Sequence, residues 1–533
     1  MTTTPFDEKA STDVSLTLSY GSGLDVAVGL AAGQIDHQPV SAEESRRMRV
    51  KLDWHLLPLL FCMYTVQFID KSTLNSAAVL GIIKDSNLSI DDFNTLGSAF
   101  YIGYLVFQYP QNLALQYFPV GKWVTFNLFL WYFFICCIPG LSHPLRSGPS
   151  SLGLHCVCHS FSSLFALRFF LGAAEGCTTA GLMLITSMFY TRTEIGERIG
   201  WTQQCNGFGT IIGGFLAFGA AHVASTSKPN QWRTLYLITC LMTLVMCIVF
   251  ALAMPDNPTT ARFLSAEEKA NNQNGIETKT WKKDQFVECL KDYKTWMWFF
   301  WCAIANLQNG LGTEASRVIQ LFGFTPLQTT LLNVPSGFSQ IIGITSGCYL
   351  LRKFPNGRAW IHNIFWLPSI ISAFILIFLP YSNRVGHLCA IYTLNGLGGA
   401  ACYVMMLSWV TSATAGHTKK LATNGIFLIG YALGQTLCTQ FWKTQYEPRF
   451  VVPWTICLAT YAANLTIVTT LWFLLRAENR RRDRLAAEKG GEATADFGYL
   501  NAVDASGREV KMKVEKGFLD LTDRQNLAFR YVL

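Results

Sequence analysis

The chain has 533 residues, of which 50% are hydrophobic and only 14% are charged, and its mean hydropathy is positive at +0.27. An ordinary soluble domain carries about 25% charged residues, so this composition excludes a disordered chain and a disulfide scaffold and argues against a soluble enzyme. Long uncharged stretches alternate with short polar breaks, which is typical of a protein that crosses a membrane several times.

Residues 1–53 are polar and end in a basic run, and they are predicted to form a cytoplasmic N-terminal tail. Twelve apolar stretches follow, each close to the length of about 18 residues that crosses a bilayer as a helix. The first six, spans 1 to 6, are predicted at 54–76, 95–117, 121–139, 164–187, 198–221 and 233–254. The other six, spans 7 to 12, are predicted at 295–314, 326–350, 359–380, 386–411, 420–442 and 452–476.

A hydrophilic stretch, 255–294, separates the two sets of spans and is predicted to be a cytoplasmic central loop. We therefore predict an all-α polytopic membrane protein with six-helix bundles at 54–254 and 295–476, followed by a charged cytoplasmic tail at 477–533. Transporters are often built from two such repeats. Lys and Arg residues are concentrated in the tails and the central loop, which predicts that both termini lie in the cytoplasm.

Span 1 carries a polar stripe, because Gln67, Lys71 and Asn75 follow one another at the spacing of a helix face, with Asp70 beside Lys71. A charged side chain inside a span costs at least about 2.5–3.5 kcal/mol, so such residues usually line a pathway. We predict that Gln67, Lys71 and Asn75 bind substrate and that Asp70 takes part in proton coupling. Alternatively, Asp70 and Lys71 pair near the outer end of the helix and only fix its position.

Span 4 carries Arg168 and Glu175, which lie two helical turns apart and therefore share a face. Gly172 lies between them and is expected to leave room for a small molecule. Arg168 can hold a carboxylate through two hydrogen bonds, and Glu175 can take up and release a proton as access alternates. The alternative is an ion pair that only satisfies both groups.

Further polar side chains lie inside the later spans: Gln203, Gln204 and Asn206 in span 5, Asn306, Gln308 and Asn309 in span 7, Asn333 in span 8, Asn395 in span 10 and Gln435 in span 11. Taken singly, each is expected to bond a neighbouring helix rather than a ligand. Three of them, Asn306, Asn309 and Asn395, are nevertheless predicted to contact substrate.

Two local motifs surround the start of span 2. Asn87-Leu-Ser89 matches a glycosylation sequon in the first outer loop, so Asn87 is predicted to be glycosylated. Ser89 and Asp92 have the spacing of a capping box that begins the helix.

Small residues four apart occur in span 5, at Gly209 and Gly213, and in span 11, at Gly430 and Gly434. This spacing lets neighbouring helix backbones approach closely, and packing is the expected role of these glycines.

One cluster has the appearance of a metal site, His155-Cys156-Val-Cys158-His159. It is predicted to lie in an outer loop and has no second pair of ligands at zinc spacing. We therefore predict neither a metal nor a cofactor.

The chain resembles the major facilitator superfamily, and more narrowly the fungal allantoate-permease-like branch of the anion:cation symporter family. The matching segments are Gln67-Phe-Ile-Asp-Lys71, Tyr109-Pro-Gln-Asn112, Gly121-Lys122, Leu167-Arg168 to Gly176, Pro255-Asp-Asn-Pro258, Ala261 to Leu264, Leu327 to Asn333, Ala415 to Lys420, Phe518 to Asp523 and Phe529 to Leu533. The resemblance implies proton-coupled uptake of a small organic anion by alternating access. In related symporters the Arg and Glu of span 4 couple substrate and proton, which carries over to Arg168 and Glu175.

Three features depart from the superfamily pattern. Gln116 replaces an acidic residue in the loop between spans 2 and 3, which puts the usual inner gate contact in doubt. Thr210 follows Gly209 where drug–proton antiporters have Gly-Pro, which argues against antiport. Residues 140–160 lengthen a connection that is short in relatives, and a retained intron in the gene would explain this.

The sequence therefore predicts a transporter that imports a carboxylate, such as a ureide or a vitamin acid, together with a proton. It is expected to act as a monomer in the lipid bilayer of the plasma membrane and to bind no nucleic acid. Two alternatives stay open. One is export of a secondary metabolite by the same fold, and the other is a nutrient sensor that binds without transporting and signals through the C-terminal tail.

Overall fold

The computed structural model describes residues 42–138, 161–190, 192–223, 229–265, 268, 281–489, 497–503, 509–515 and 521–533. The His155–His159 cluster and the lengthened connection at 140–160 lie outside the described residues, as does the side chain of Gln116.

The first six spans are long helices, several of them interrupted. Their bounds are Ala42–Val79 for span 1, Ile90–Tyr117 for span 2, Val120–Cys137 for span 3, Phe161–Glu175 and Thr178–Phe189 for span 4, Arg192–Gln203 and Cys205–Ala221 for span 5, and Gln231–Ala253 for span 6. A short helix, Ile82–Asp85, follows span 1, and a 3-10 turn at Pro258–Thr260 follows span 6. Ser89 and Asp92 form the predicted capping box at the start of span 2.

The second set begins after a short amphipathic helix, Lys283–Lys291. Its bounds are Tyr293–Leu307 and Gly310–Leu321 for span 7, Pro326–Leu332 and Val334–Lys353 for span 8, Arg358–Phe378 for span 9, Arg384–Cys389, Ala390–Leu394 and Asn395–Ser412 for span 10, His417–Cys438 for span 11 and Val451–Lys489 for span 12. Thr439–Phe441 and Thr444–Tyr446 are 3-10 turns, and Phe497–Val503 pairs antiparallel with Glu509–Glu515 in the tail.

Every predicted span thus coincides with one helix or with consecutive helical segments. Eight of the spans in the described part of the chain are long and apolar enough by themselves to cross a membrane. Spans 2, 5, 7 and 8 do not meet that criterion. Spans 5, 7 and 8 are also interrupted beside Gln204, Asn309 and Asn333. The sequence analysis took these spans as continuous, and the breaks are a correction to it.

The two sets of six spans meet chiefly along three pairs of helices, and span 10 also packs on the first helix of span 5. Span 5 packs on span 8, where Gln204 donates to Thr345 at 2.8 Å. Span 2 packs on span 11, and the hydroxyl groups of Ser98 and Thr439 are 2.8 Å apart. Span 1 packs on span 7, and Asn75 accepts a hydrogen bond from the backbone of Ser316. These contacts frame a central space between the two sets.

The small-residue motifs pack as predicted. A Cβ at Gly430 would lie 2.6 Å from the carbonyl oxygen of Phe299, and one at Gly434 would lie 2.3 Å from that of Ala303, so span 11 contacts the backbone of span 7 directly. Gly209 instead packs against the side chain of Phe68 on span 1, where a Cβ would lie 2.9 Å from the ring.

We call one end of the bundle the tail-side end. It is the end at which spans 1, 7, 9 and 11 begin and span 12 finishes. Ion pairs collect there in the first set, where Arg198 binds Asp53 at 2.8 Å and Lys51 binds Glu268 at 2.6 Å. Salt bridging with Lys51 and a backbone hydrogen bond from Ser265 lower the pKa of Glu268.

Candidate functional site

A cavity of about 380 Å³ lies between the two sets of spans. Spans 1, 2, 4, 5, 7, 8, 10 and 11 all contribute to its wall. The wall is therefore shared by both sets, which is the arrangement expected for a transporter site at a repeat interface.

Amide side chains dominate the polar part of this wall. Those that line the cavity are Gln67, Asn75, Gln203, Asn206, Asn306, Gln308, Asn309, Asn333, Gln340, Asn395 and Gln435. The expectation that amides such as Gln203 and Asn333 only join helices is therefore incomplete. Gln204 fits it better, since it is absent from the lining and bonds span 8.

Several of the amides both line the cavity and form hydrogen bonds to other side chains. Asn306 accepts hydrogen bonds from Asn309 at 2.9 Å and from Gln435 at 3.3 Å, and Asn395 accepts one from Tyr461 at 3.0 Å. Both polar atoms of the Gln67 amide are buried without a hydrogen-bond partner among the described residues. Buried polar atoms normally have a partner, so the free amide of Gln67 is available to a molecule in the cavity.

Tyrosines from both sets converge on one side of the cavity. The Tyr431 ring of span 11 lies 6.1 Å from Tyr101 and 5.9 Å from Tyr104, both on span 2, and 5.8 Å from Tyr403 on span 10. Their hydroxyl groups can donate and accept, while their rings pack against apolar or planar groups. The sequence analysis did not single out these residues, because span 2 contains several other aromatic residues and nothing in its pattern distinguishes Tyr101 and Tyr104.

Lys71 is the charged residue among the described residues that line this cavity. Its ammonium group forms an ion pair with the Glu175 carboxylate, which is fully buried directly behind the wall. The Lys71 side chain lines the cavity and keeps 23% of its surface exposed, whereas the Glu175 side chain is completely buried. The predicted alternative, a pair between Asp70 and Lys71, is therefore wrong.

Asp70 lies on the other face of span 1, inside the first set of spans. Its carboxylate accepts hydrogen bonds from Trp131 of span 3 at 3.0 Å and from Thr243 of span 6 at 2.8 Å. Asp70 is not part of the cavity wall. Its predicted part in proton coupling is untested by these contacts, which give it no direct access to a ligand in the central space.

Arg168 is buried one helix layer away from the central cavity. Its guanidinium group donates to the Tyr236 hydroxyl at 2.7 Å and forms no ion pair with a described residue. The alternative in which Arg168 pairs with Glu175 is therefore wrong, because Lys71 takes that position. Arg168 lines a second, smaller cavity of about 50 Å³ together with Lys71, Asn75 and Tyr101. Lys71 thus borders both spaces and connects them.

Gly172 does not leave room for a small molecule, which corrects the sequence analysis. A Cβ at this position would lie 1.8 Å from the carbonyl oxygen of Phe100, so the space beside Gly172 is filled by the backbone of span 2. The glycine instead brings spans 2 and 4 into direct contact, and this contact holds Arg168 and Glu175 at a fixed height against span 1.

Asn87, the predicted glycosylation site, is exposed and has a left-handed backbone with φ of 49° in the turn before span 2. Asn adopts this conformation more readily than most residues. Glycosylation of Asn87 remains a prediction.

The chain is similar to known transporters in sequence and in fold. The sequence model of the Major Facilitator Superfamily matches residues 60–438. An uncharacterized transporter of Schizosaccharomyces pombe is 31% identical over 511 residues, which cover 93% of this chain and 85% of the relative. The allantoate permease of Saccharomyces cerevisiae is 28% identical over 93% of this chain and 88% of its own. The structure of a D-xylose-proton symporter superimposes with a TM-score of 0.59 at 14% identity, covering 78% of this chain and 97% of that one.

Proposed function

Because the chain belongs to the major facilitator superfamily and is a membrane transporter rather than an enzyme, we propose that it imports a small organic anion together with a proton. The observation that carries the proposal is the Lys71–Glu175 pair, with its cation on the cavity wall and its acid buried behind.

Lys71 is the group proposed to bind the anion. An ammonium group in a partly desolvated cavity attracts a carboxylate strongly, and the Lys71 side chain is partly exposed on the cavity wall. Cationic Arg168 lies on the second cavity, which Lys71 also borders, so it adds positive potential on the same side. In this proposal Arg168 supports the anion from behind Lys71, and direct contact requires span 1 and span 4 to shift.

Glu175 is the group proposed to carry the proton. The positive charge of Lys71 balances the negative charge of the Glu175 carboxylate, which has no access to solvent. If a substrate carboxylate draws Lys71 away from Glu175, the buried negative charge of Glu175 is left without a cation. This costs several kcal/mol unless Glu175 takes up a proton. Binding of anion and binding of proton therefore favour each other, and this linkage is reciprocal.

The remainder of the wall favours a substrate with several polar groups besides its carboxylate. Amide side chains both donate and accept, so they suit ureido and amide groups equally. Gln67, Asn306, Asn309, Asn395 and Gln435 are the proposed contacts on this part of the wall. An allantoate-like ureide fits this chemistry, and one relative of the chain is the allantoate permease of Saccharomyces cerevisiae.

The proposed cycle is the rocking of two six-helix halves, 54–254 and 295–476, about the cavity, with both termini in the cytoplasm of a plasma-membrane protein. The three helix pairs that join the halves, spans 5 and 8, 2 and 11, and 1 and 7, are where the contacts must change.

The decisive experiment is uptake of radiolabelled allantoate, ureidosuccinate and nicotinate into cells at external pH 5 and pH 7.5, with and without a protonophore. The native chain is expected to take up at least one of these acids faster at pH 5, and the protonophore is expected to abolish the difference. Glu175→Gln is expected to bind and exchange the anion without responding to the proton gradient.

Asp70→Asn is the matched control, since it makes the same acid-to-amide change next to Lys71 but away from the cavity. It is expected to keep the response to pH, and a loss of that response would instead support the predicted role of Asp70. Outward movement of anion against its gradient would favour the exporter, and tight binding without any flux would favour the sensor. Normal gradient-driven uptake by Glu175→Gln would refute the proposed coupling.

A further inference from the structure

The last residues of the chain, 521–533, lie against the tail-side end of the second set of spans. We call them the terminal segment. The segment has no regular helix or strand, yet most of its residues are partly or fully buried. It is held by side chains of spans 7, 10, 11 and 12 and of the helix Lys283–Lys291, and by the backbone at the start of span 9, as a peptide is held by a receptor.

Asp523 is the centre of these contacts. Its carboxylate is completely buried and lies between two ammonium groups, that of Lys294 on span 7 and that of Lys419 on span 11, the latter at 2.7 Å. The Tyr531 hydroxyl donates to the same carboxylate at 2.6 Å. Burial alone would raise the pKa of Asp523, but the two lysines lower it to about 2, so the group is ionised at every physiological pH.

The lysines have further acidic partners around them. Lys419 also binds Asp292 at 2.8 Å and Glu288 at 2.9 Å. The Thr522 hydroxyl of the terminal segment donates to Glu288 at 2.9 Å. Each buried cation in this cluster thus has at least one acid within reach, which is the condition under which charges can be buried.

The backbone of the terminal segment is recognised as well. Asn479 of span 12 bonds both the carbonyl oxygen and the amide of Tyr531, at 2.8 and 2.9 Å. Trp409 of span 10 donates to the carbonyl of Val532, and the amide of Arg358 at the start of span 9 donates to that of Leu533, both at 2.9 Å.

Arg482 of span 12 completes the receptor. It is only 3% exposed, and it donates to the Phe529 carbonyl at 2.9 Å and to the Tyr531 hydroxyl at 3.1 Å. The guanidinium group also lies over the Tyr531 ring. The ion pairs of Asp523 depend on the side chain of the peptide, and the hydrogen bonds to the backbone of residues 531–533 fix its position. Together they make the contact specific for this peptide.

We propose that the tail-side end of the second set of spans is a peptide-binding site, specific for a segment that carries one buried aspartate and ends in an aromatic residue and two aliphatic ones, and that residues 521–533 occupy it in cis. Among the described residues, the hydrogen bonds and ion pairs that leave the segment all join it to the second set of spans or to residues 283–292. The segment therefore ties five spans into one body without bridging the two sets, so it stabilises one half and leaves the halves free to move against each other.

The experiment separates folding from binding by cutting the chain after it has folded. A protease site is placed within 516–520, the full-length protein is purified in detergent, and the terminal segment is cleaved off. The native segment is expected to co-elute with the protein on size exclusion. Release of the native segment on cleavage would overturn the proposal.

Asp523→Asn is the diagnostic variant. It keeps the size of the side chain but leaves both buried lysines short of an acid, and retention is expected to weaken by roughly 100-fold. Asp483→Asn is the matched control, because it removes an exposed ion pair with Arg530 of the terminal segment, and such pairs contribute little. Equal retention of the terminal segment by the Asp523→Asn and Asp483→Asn proteins would also overturn the proposal.

A synthetic peptide with the sequence of residues 519–533 tests the site in trans. Added to a chain that ends at residue 516, it is expected to raise the melting temperature by several degrees, and the same peptide with Asn in place of Asp523 is expected not to do so. No shift with the native peptide would contradict an independent binding site. If the shortened chain does not fold, the cleavage experiment decides alone.

Discussion

Among the described residues, the charge clusters at the cavity and at the tail-side end are built in opposite ways. At the cavity, Lys71 has one acidic partner, Glu175, and its side chain is partly exposed on the cavity wall. At the tail-side end, Lys419 has three acidic partners and is only 1% exposed. Burial of charge therefore does not by itself indicate function. A charge with a single partner beside a cavity can exchange that partner for a ligand, whereas a charge surrounded by partners holds the fold together.

The largest expected effect comes from Lys71→Met. Removal of the ammonium group takes away the proposed anion contact, and uptake is expected to fall by roughly 100-fold or more. The melting temperature is expected to change little, because Glu175 can become neutral by taking up a proton once its cation is gone. Uptake per molecule at the cell surface and the melting temperature of the purified variant are the two measurements. Unchanged uptake would remove Lys71 from the site.

The same substitution at the other cluster, Lys419→Met, is expected to lower the stability of the fold and to leave transport by the folded protein unchanged. It strands Asp292 and Asp523 without one of their cations, and loss of a buried partner costs about 3–5 kcal/mol of folding stability. The fraction of molecules that still fold is expected to transport normally, since the cluster lies away from the cavity wall. Thermal unfolding and uptake normalised to folded protein measure the two effects. A stable but inactive variant would contradict the contrast between the two clusters.

Gly172→Ala is expected to have the next largest effect, and it tests how the cavity cluster is positioned. A Cβ at this site would overlap the carbonyl oxygen of Phe100, so spans 2 and 4 must separate. Overpacking of this kind costs about 1–3 kcal/mol, and it displaces Arg168 and Glu175 together. Gly219→Ala is the control in span 5, because a Cβ there meets nothing within 4 Å. Lower stability and lower uptake are expected for the first variant only.

The twelve spans and the positions of the polar stripe in span 1 could be predicted from the sequence, because apolar length and helical spacing are local properties. Gln67, Lys71 and Asn75 all line the cavity as their spacing predicted. The partner of Glu175 could not be predicted, since Lys71 and Arg168 are both basic and only the packing of spans 1 and 4 decides between them. Gly172 was misjudged for the same reason: a glycine makes room, but the sequence does not say whether a ligand or another helix fills it.

The terminal segment was missed for a different reason. It belongs to a tail that begins as a charged helix, so the sequence analysis took all of 477–533 as a charged cytoplasmic tail. Asp523 is instead completely buried, and its partners come from spans 7 and 11, more than a hundred positions earlier in the chain. The signal in the sequence was the match of Phe518 to Asp523 and of Phe529 to Leu533 with related transporters, which an exposed tail would not require.

The smallest expected effect is that of pH on retention of the cleaved terminal segment. It distinguishes the tail-side cluster from the cavity cluster. The pKa of Asp523 is lowered to about 2 by Lys294 and Lys419, from an unfolded value near 3.9. A lowered pKa adds stability above the unfolded value, and that stability is lost only as the pH falls from about 4 toward 2. Retention of the cleaved segment is therefore expected to be constant between pH 5 and pH 8. Two other titratable groups, Tyr531 and Asp292, also face these lysines. Uptake is expected to change over that same interval, since it depends on the proton at Glu175. Parallel curves for retention and uptake would show that one titrating group governs both clusters, and the separation between them would be lost.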